Sequence, residues 1–354
     1  MSRTSLLAAL LAVAATSLEA GPVFNYTLGA GVSVGDQVYN GFVAAGNRWS
    51  ALFSDPVTIN VHVDYQSLGS GILGSTSNAI YQTTYANIKT KLAADATTVA
   101  DATAVANLPV GPLSFAINHT NECANCTTPY LDSNANNNNL NVDLSGAEAK
   151  ALGILSANNA ALDGSITFSS NFAFDFDPSN GVTAGQFDFV GVATHEIGHL
   201  LGFISSVDDY DYCGFTPTPA GCPGGHAISE TIDESTVLDL FRYSTDSGFG
   251  TIMDQSADNR AKYFSINGGA TLGPQFARGT NFGDGRQASH WKDNLGIGIM
   301  DPTVAPGELL AISSNDVLAL DVIGWNAVAT PEPFTGGLLA IGIAALVGLR
   351  RRSV

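Results

Sequence analysis

The sequence predicts an α+β fold: a twisted, mixed sheet over a long apolar helix, then a Gly- and Pro-rich region, then a helix near the C-terminal end. Three observations predict it. Val57, Ile59, Val61 and Val63 alternate with Thr58, Asn60, His62 and Asp64, the period of a strand with one buried face. Phe187–Phe203 is apolar through several helical turns, and Asp188 is placed to cap it. From Ser205 to about Arg286 turn-forming residues dominate, and a long helical pattern returns at Ser313–Trp325.

Taken in order, the chain opens with Arg3, a short apolar run Leu6–Ala15 and small residues up to Ala20. That pattern is a secretory signal over residues 1–20 and predicts export by the Sec route. Apolar residues at Phe42, Ala45, Trp49 and Phe53 predict a helix over Asp36–Phe53, broken by Asp55-Pro56. The strand Val57–Tyr65 follows, with His62 on its solvated face. The Ala- and Thr-rich residues 78–106 are expected to be helical in pieces, Asn134–Asn139 a polar loop and Ser145–Leu155 a helix. Gly164–Ser169 is a short strand and Asp175–Gly181 a turn-rich loop. Within the Gly- and Pro-rich region a short helical piece is expected near Val237–Arg242.

The net charge is −18, and four of the 14 basic residues lie in the two end segments, so the middle of the chain is more acidic still. Such a surface repels phosphate backbones, which argues against a nucleic-acid partner. The cysteines form two close pairs, Cys123/Cys126 and Cys213/Cys222. In an exported chain two local disulfides are the default.

Thr194-His195-Glu196-Ile197-Gly198-His199 carries HExxH inside the predicted helix. Residues four apart share a helix face, so His195 and His199 can reach one ion, while Glu196 reaches a water on the metal. With zinc, this arrangement makes Glu196 a general base for peptide hydrolysis. Catalytic zinc takes three protein ligands. The next position in the short HExxHxxGxxH motif is Ser205, a poor ligand. The remaining histidines, His62, His119, His226 and His290, are the candidates for the third ligand.

The segment Gln287-Ala-Ser-His290-Trp291, followed by Gly298-Ile-Met300-Asp-Pro302, resembles the leishmanolysin-like metzincins, zinc proteases of the zincin class. The resemblance implies His290 as third zinc ligand, Met300 as the Met-turn residue and Ser205–Ala288 as an insertion between ligands. It places one zinc metalloendopeptidase domain at residues 21–328, acting as a monomer on a protein or peptide. Residues Asn40–Trp325 also resemble a bacterial family of exported metalloproteases with sorting tails. Here the Met-turn reads Gly-Ile-Met-Asp-Pro rather than the Glu-Leu-Met commonest in leishmanolysin-like enzymes. His226 in its Gly-rich loop remains the rival ligand.

The end of the chain, Pro331-Glu332-Pro333, an apolar run Phe334–Leu349 and Arg350–Arg352, is similar to the PEP-CTERM sorting signal of Gram-negative bacteria. That implies a tail, residues 329–354, that anchors transiently in the inner membrane and is cut by a membrane protease. Asp175, Asp177 and Asn180 with Gly181 have part of the spacing of a calcium loop, with a capped turn as the alternative. Asp208, Asp209 and Asp211 are either a second oxygen cluster or solvated. By analogy, Gly164–Ser169 is expected to be the edge strand along which substrate lies. Two other readings stay open: a non-catalytic surface or matrix protein with a structural metal, and a thiol oxidoreductase using Cys123 and Cys126.

Overall fold

The computed structural model describes residues 21–120, 128–214, 222, 230, 235–246 and 248–328. The predicted signal, the tail, Cys123, Cys126 and His226 lie outside these residues. Among the described residues no helix is long and apolar enough to cross a membrane.

The fold is mixed α+β, with several sheets and eight helices among the described residues. The main sheet has the order β1 (Val23–Leu28), β2 (Thr58–Gln66), β8 (Gly164–Ser169), β3 (Gly74–Asn78). The first three run parallel and β3 runs antiparallel to β8. The alternation in β2 is real: Val57, Ile59, Val61 and Val63 are buried. Gly164–Ser169 is a strand but not the edge, because β2 and β3 hydrogen-bond to its two sides. Ile166 and Phe168 are fully buried, as suits an inner strand. The edge on that side of the sheet is β3, whose Gly-Ser-Thr-Ser-Asn sequence has no apolar alternation to announce it.

Beneath the sheet lie α1 (Gln37–Ser50) and α6 (Phe189–Leu200). Asp36 caps the first and Asp188 the second, accepting from Tyr39 N and Gly191 N. The two helices approach closely at Gly41, where a Cβ would overlap the Phe189 ring. Phe42 meets Phe168 and Phe189 edge-on, with ring centroids 5.2 and 5.5 Å apart. Tryptophan indoles pin α6 at its middle and its C-terminal end: Trp49 Nε1 donates to Thr194 O at 2.8 Å and Trp325 Nε1 to Leu201 O at 2.7 Å.

Residues 78–106 are only partly helical. A strand, β4 (Ile80–Thr84), precedes α2 (Tyr85–Asp95) and α3 (Val99–Asn107) and pairs with β7 (Asn141–Ser145). The Asn-rich stretch is not a plain loop: α4 (Asn137–Leu140) buries Asn138 and Asn139 completely. The helix expected at Ser145–Leu155 is the shorter α5 (Gly146–Ala151), closed by a Ser145/Glu148 capping box.

The region after α6 is more structured than its composition suggests. It begins with α7 (Val207–Cys213). The helical piece near Val237 is a 3-10 turn, Leu238–Phe241. Four short strands, β12 (Arg242–Ser244), β13 (Ile252–Asp254), β14 (Lys262–Phe264) and β15 (Gln275–Phe276), join β5 (Phe115–Ile117) and β6 (Tyr130–Asp132) in a second sheet. Strands of two or three residues leave no readable period. A short β11 (Ser235–Thr236) extends the β4–β7 pair, and β9 (Phe174–Asp175) pairs with β10 (Phe187–Asp188) before α6. The last helix, α8 (Ser314–Val322), is capped by Ser313 with Asp316 as its capping-box partner.

Candidate metal centre

Helix α6 presents His195 and His199 on one face, with Glu196 between them. Its end is fixed by Gly202, whose φ of +113° is strained for any side chain. There Phe203 N bonds back to Gly198 O at 3.1 Å. The turn aims Phe203 O at His199 Nδ1, 2.7 Å away. Among the described residues, the next histidine to meet this pair is His290, 91 positions after His199.

The return is engineered by buried acids and aromatics. Asp208 at the start of α7 accepts from Ala288 N, Ser289 N and Ser289 Oγ. Asp211 accepts from Asn281 N and Phe282 N. These carboxylates hold the loop that carries His290, so neither is merely solvated. Burial pushes Asp208 up to about 6, against the lowering effect of the Ser289 hydroxyl. Ser205 and Ser206 bond to Asp239 instead of facing an ion. Trp291, fully buried, stacks on Phe276 at 5.0 Å and meets Phe203 edge-on at 4.9 Å. Ala277 N donates to His290 O at 2.9 Å, locking this segment to β15.

His290 therefore meets the helix pair. The three Nε2 atoms form a triangle: His195 to His199 is 3.1 Å, His195 to His290 3.2 Å and His199 to His290 3.2 Å. Each Nδ1 faces a backbone oxygen, of Ile299 (2.7 Å), Phe203 (2.7 Å) and Gln287 (3.2 Å). A carbonyl only accepts, so each Nδ1 carries the proton and each Nε2 turns a lone pair inward. Three lone pairs this close repel unless a cation sits among them. Tetrahedral metal–nitrogen bonds of about 2.0–2.1 Å put ligand nitrogens about 3.3–3.4 Å apart, close to the observed triangle. This buried group could hold a metal ion. Burial, then the neighbouring imidazoles, holds His290 well below its ordinary value; burial and His195 push His199 down to about 3. Both effects keep the rings neutral, as metal ligation requires.

Met300 is fully buried and lies against Gly198, where a Cβ would overlap its sulfur. Its turn is tied to both ends of the site. Ile299 O orients His195, and Trp291 N donates to Met300 O at 2.9 Å. Asp316, buried at the start of α8, accepts from Trp291 Nε1, Ile299 N, Met300 N and Ser313 N.

The Glu196 carboxylate is held by a residue that the sequence did not single out. Thr76 Oγ1 on β3 lies 2.7 Å from Glu196 Oε2 and 2.9 Å from Glu196 O. Asn78 Nδ2 donates to His199 O at 3.2 Å. Burial raises the Glu196 carboxyl, offset by His195 and the Thr76 hydroxyl. The triad and Glu196 line a cleft of about 820 Å³, bounded by Gly71–Thr76 on one side and Arg286–His290 and Asp301–Val304 on the other.

Of the other candidates, Cys213 and Cys222 form a disulfide at the end of α7. Asp175 accepts from Thr183 N, Thr183 Oγ1 and Asp177 N, and Asp177 accepts from Ser179 N and Oγ. These contacts make the capped turn, and Asn180 sits exposed at its end. His62 is half-buried with Thr27 Oγ1 at 3.4 Å, and His119 stacks on Phe282 at 3.9 Å. Neither joins the triad. No family model, no curated protein and no solved structure matches the chain.

Proposed function

We propose that the chain is a zinc-dependent endopeptidase of the metzincin type, with the leishmanolysin-like late third ligand. The observation that carries this reading is the convergence of His195, His199 and His290 on one point, with the Glu196 carboxylate beside it in an open cleft. Imidazole nitrogens suit zinc far better than calcium or magnesium. A purely structural site closes with a fourth protein ligand; among the described residues no fourth His, Cys, Asp or Glu joins the group.

When bound, zinc supplies a Lewis acid that lowers the pKa of a water and polarises the scissile carbonyl. Glu196 takes the proton from the attacking water as its oxygen adds to the carbonyl carbon. It then delivers that proton to the leaving nitrogen as the C–N bond breaks. The neutral imidazoles are held for this by the carbonyls of Ile299, Phe203 and Gln287. The edge strand β3 runs along the cleft, and an extended peptide adds to it by main-chain pairing. The signal and tail read from the sequence send this activity outside the inner membrane of a Gram-negative cell, with a membrane protease as processing partner.

Glu196→Ala tests the reading. Metal content and folding are expected to persist, and peptide cleavage is expected to fall by about 10²–10⁴-fold or more. A variant that still cleaves at the wild-type rate removes Glu196 as base; a wild type that binds zinc but cleaves no peptide favours a structural metal site.

A further inference from the structure

Resting on the peptidase reading, we infer that Thr76 of the edge strand is a positioning residue for Glu196, with Gly74 providing the space in which it works. The side chain of Glu196 is nearly buried, and its only way to be useful is to hold one oxygen towards the reacting atoms. Thr76 Oγ1 sits 2.7 Å from Oε2. Among the described residues no hydrogen bond engages Oε1, the oxygen that faces Gly74.

A hydroxyl has one proton to donate. With Glu196 ionised, Thr76 donates it to Oε2. After Oε1 has gained a proton, Oε2 is the carbonyl-type oxygen and still accepts. The same contact therefore survives both halves of the proton shuttle, and the carboxyl plane need not turn between them. The main-chain oxygen of Glu196, 2.9 Å from the same hydroxyl, is a second acceptor for that one proton, so the hydroxyl bridges two oxygens of the same residue. One turn of strand away, a Cβ at position 74 would lie 2.8 Å from Oε1 and 3.0 Å from Cγ. Glycine there leaves the proton-accepting oxygen uncovered.

The strand supplies this geometry because its alternation puts positions 74, 76 and 78 on the face towards α6. Gly74 clears Oε1, Thr76 holds Oε2, and Asn78 bonds the carbonyl of His199. The substrate-binding edge thus also sets the base.

The test compares Thr76→Val and Thr76→Ser with wild type in the full chain. Thr76→Val keeps the shape and removes the hydroxyl; Thr76→Ser keeps the hydroxyl. Misplacing a catalytic group by about 1 Å can cost about 100-fold. Thr76→Val is therefore expected to lower kcat by about 10- to 100-fold with KM within about twofold, and with zinc affinity by chelator competition unchanged. Thr76→Ser is expected to recover most of kcat. Crystals of Thr76→Val are expected to show the Glu196 carboxylate rotated from its wild-type place. Full kcat in Thr76→Val, or a carboxylate that has not moved, overturns the inference, as does serine behaving like valine. A wild type that cleaves no peptide would sink the peptidase reading alone, because the carboxylate's position in the valine variant still decides this one.

Discussion

At the scale of single residues, the site depends on side chains that are absent as much as on those present. Gly198 lies between His195 and His199, and the Met300 sulfur occupies the space where its Cβ would be. Gly198→Ala must push Met300 aside within a fully buried turn, and overpacking of this kind costs about 1–3 kcal/mol. That turn also orients His195 through Ile299 O, so the same change is expected to weaken metal binding. Thermal unfolding and a metal titration of Gly198→Ala check both effects; a variant unchanged in both would show that Met300 has slack to move. HExxH was readable at this scale because four-residue spacing on a helix is a strong geometric constraint. Thr76 was not, because its role arises from a strand that comes from elsewhere in the chain.

Among the elements, the long apolar helix, the alternating strand and the capped C-terminal helix were legible because their periods run through nine or more residues. The second sheet and β3 were not, because strands of two to five residues show no readable period and gain their order from partners distant in sequence. The same reason explains why Gly164–Ser169 read as an edge although β3 covers it. Packing between α3 and α8 illustrates a further effect hidden from the sequence. Thr98 caps α3 and also donates to Asp321 of α8, which lies near Asp101. Burial, and then the Asp101 charge, raise Asp321 from 3.8 to about 6. A raised acid favours the protonated folded state, so its stabilising effect is full below about 4 and is lost as pH climbs through about 6. Asp321→Asn removes the ionisation; its amide oxygen can still accept from Ala327 N, and its amide nitrogen can donate to Asp101 or to the Thr98 hydroxyl, which donates to Asp321 in the wild type. It is expected to raise the unfolding temperature at pH 7.5 and change it little at pH 4. Thermal melts at the two pH values decide this, and equal shifts at both would exclude the titration.

For the whole molecule, the long excursion between His199 and His290 is the central structural decision. The chain leaves α6 at Gly202, builds α7 and four strands of the second sheet, and brings His290 back under Trp291, β15 and the carboxylates of Asp208 and Asp211. A metal held there would link α6 to a segment in the last third of the chain, and ligand binding of this kind stabilises by about 2.7 kcal/mol at a hundred times Kd. The resemblance drawn from His-Trp and Met300 anticipated the meeting of these residues, while composition alone gave no reason for it. The most direct measurement is zinc stoichiometry and affinity for the purified chain and for His290→Ala. The account predicts one tightly held zinc in wild type and its loss, or a weakening of at least about 100-fold, in the variant. One zinc held with equal affinity by both proteins would contradict it.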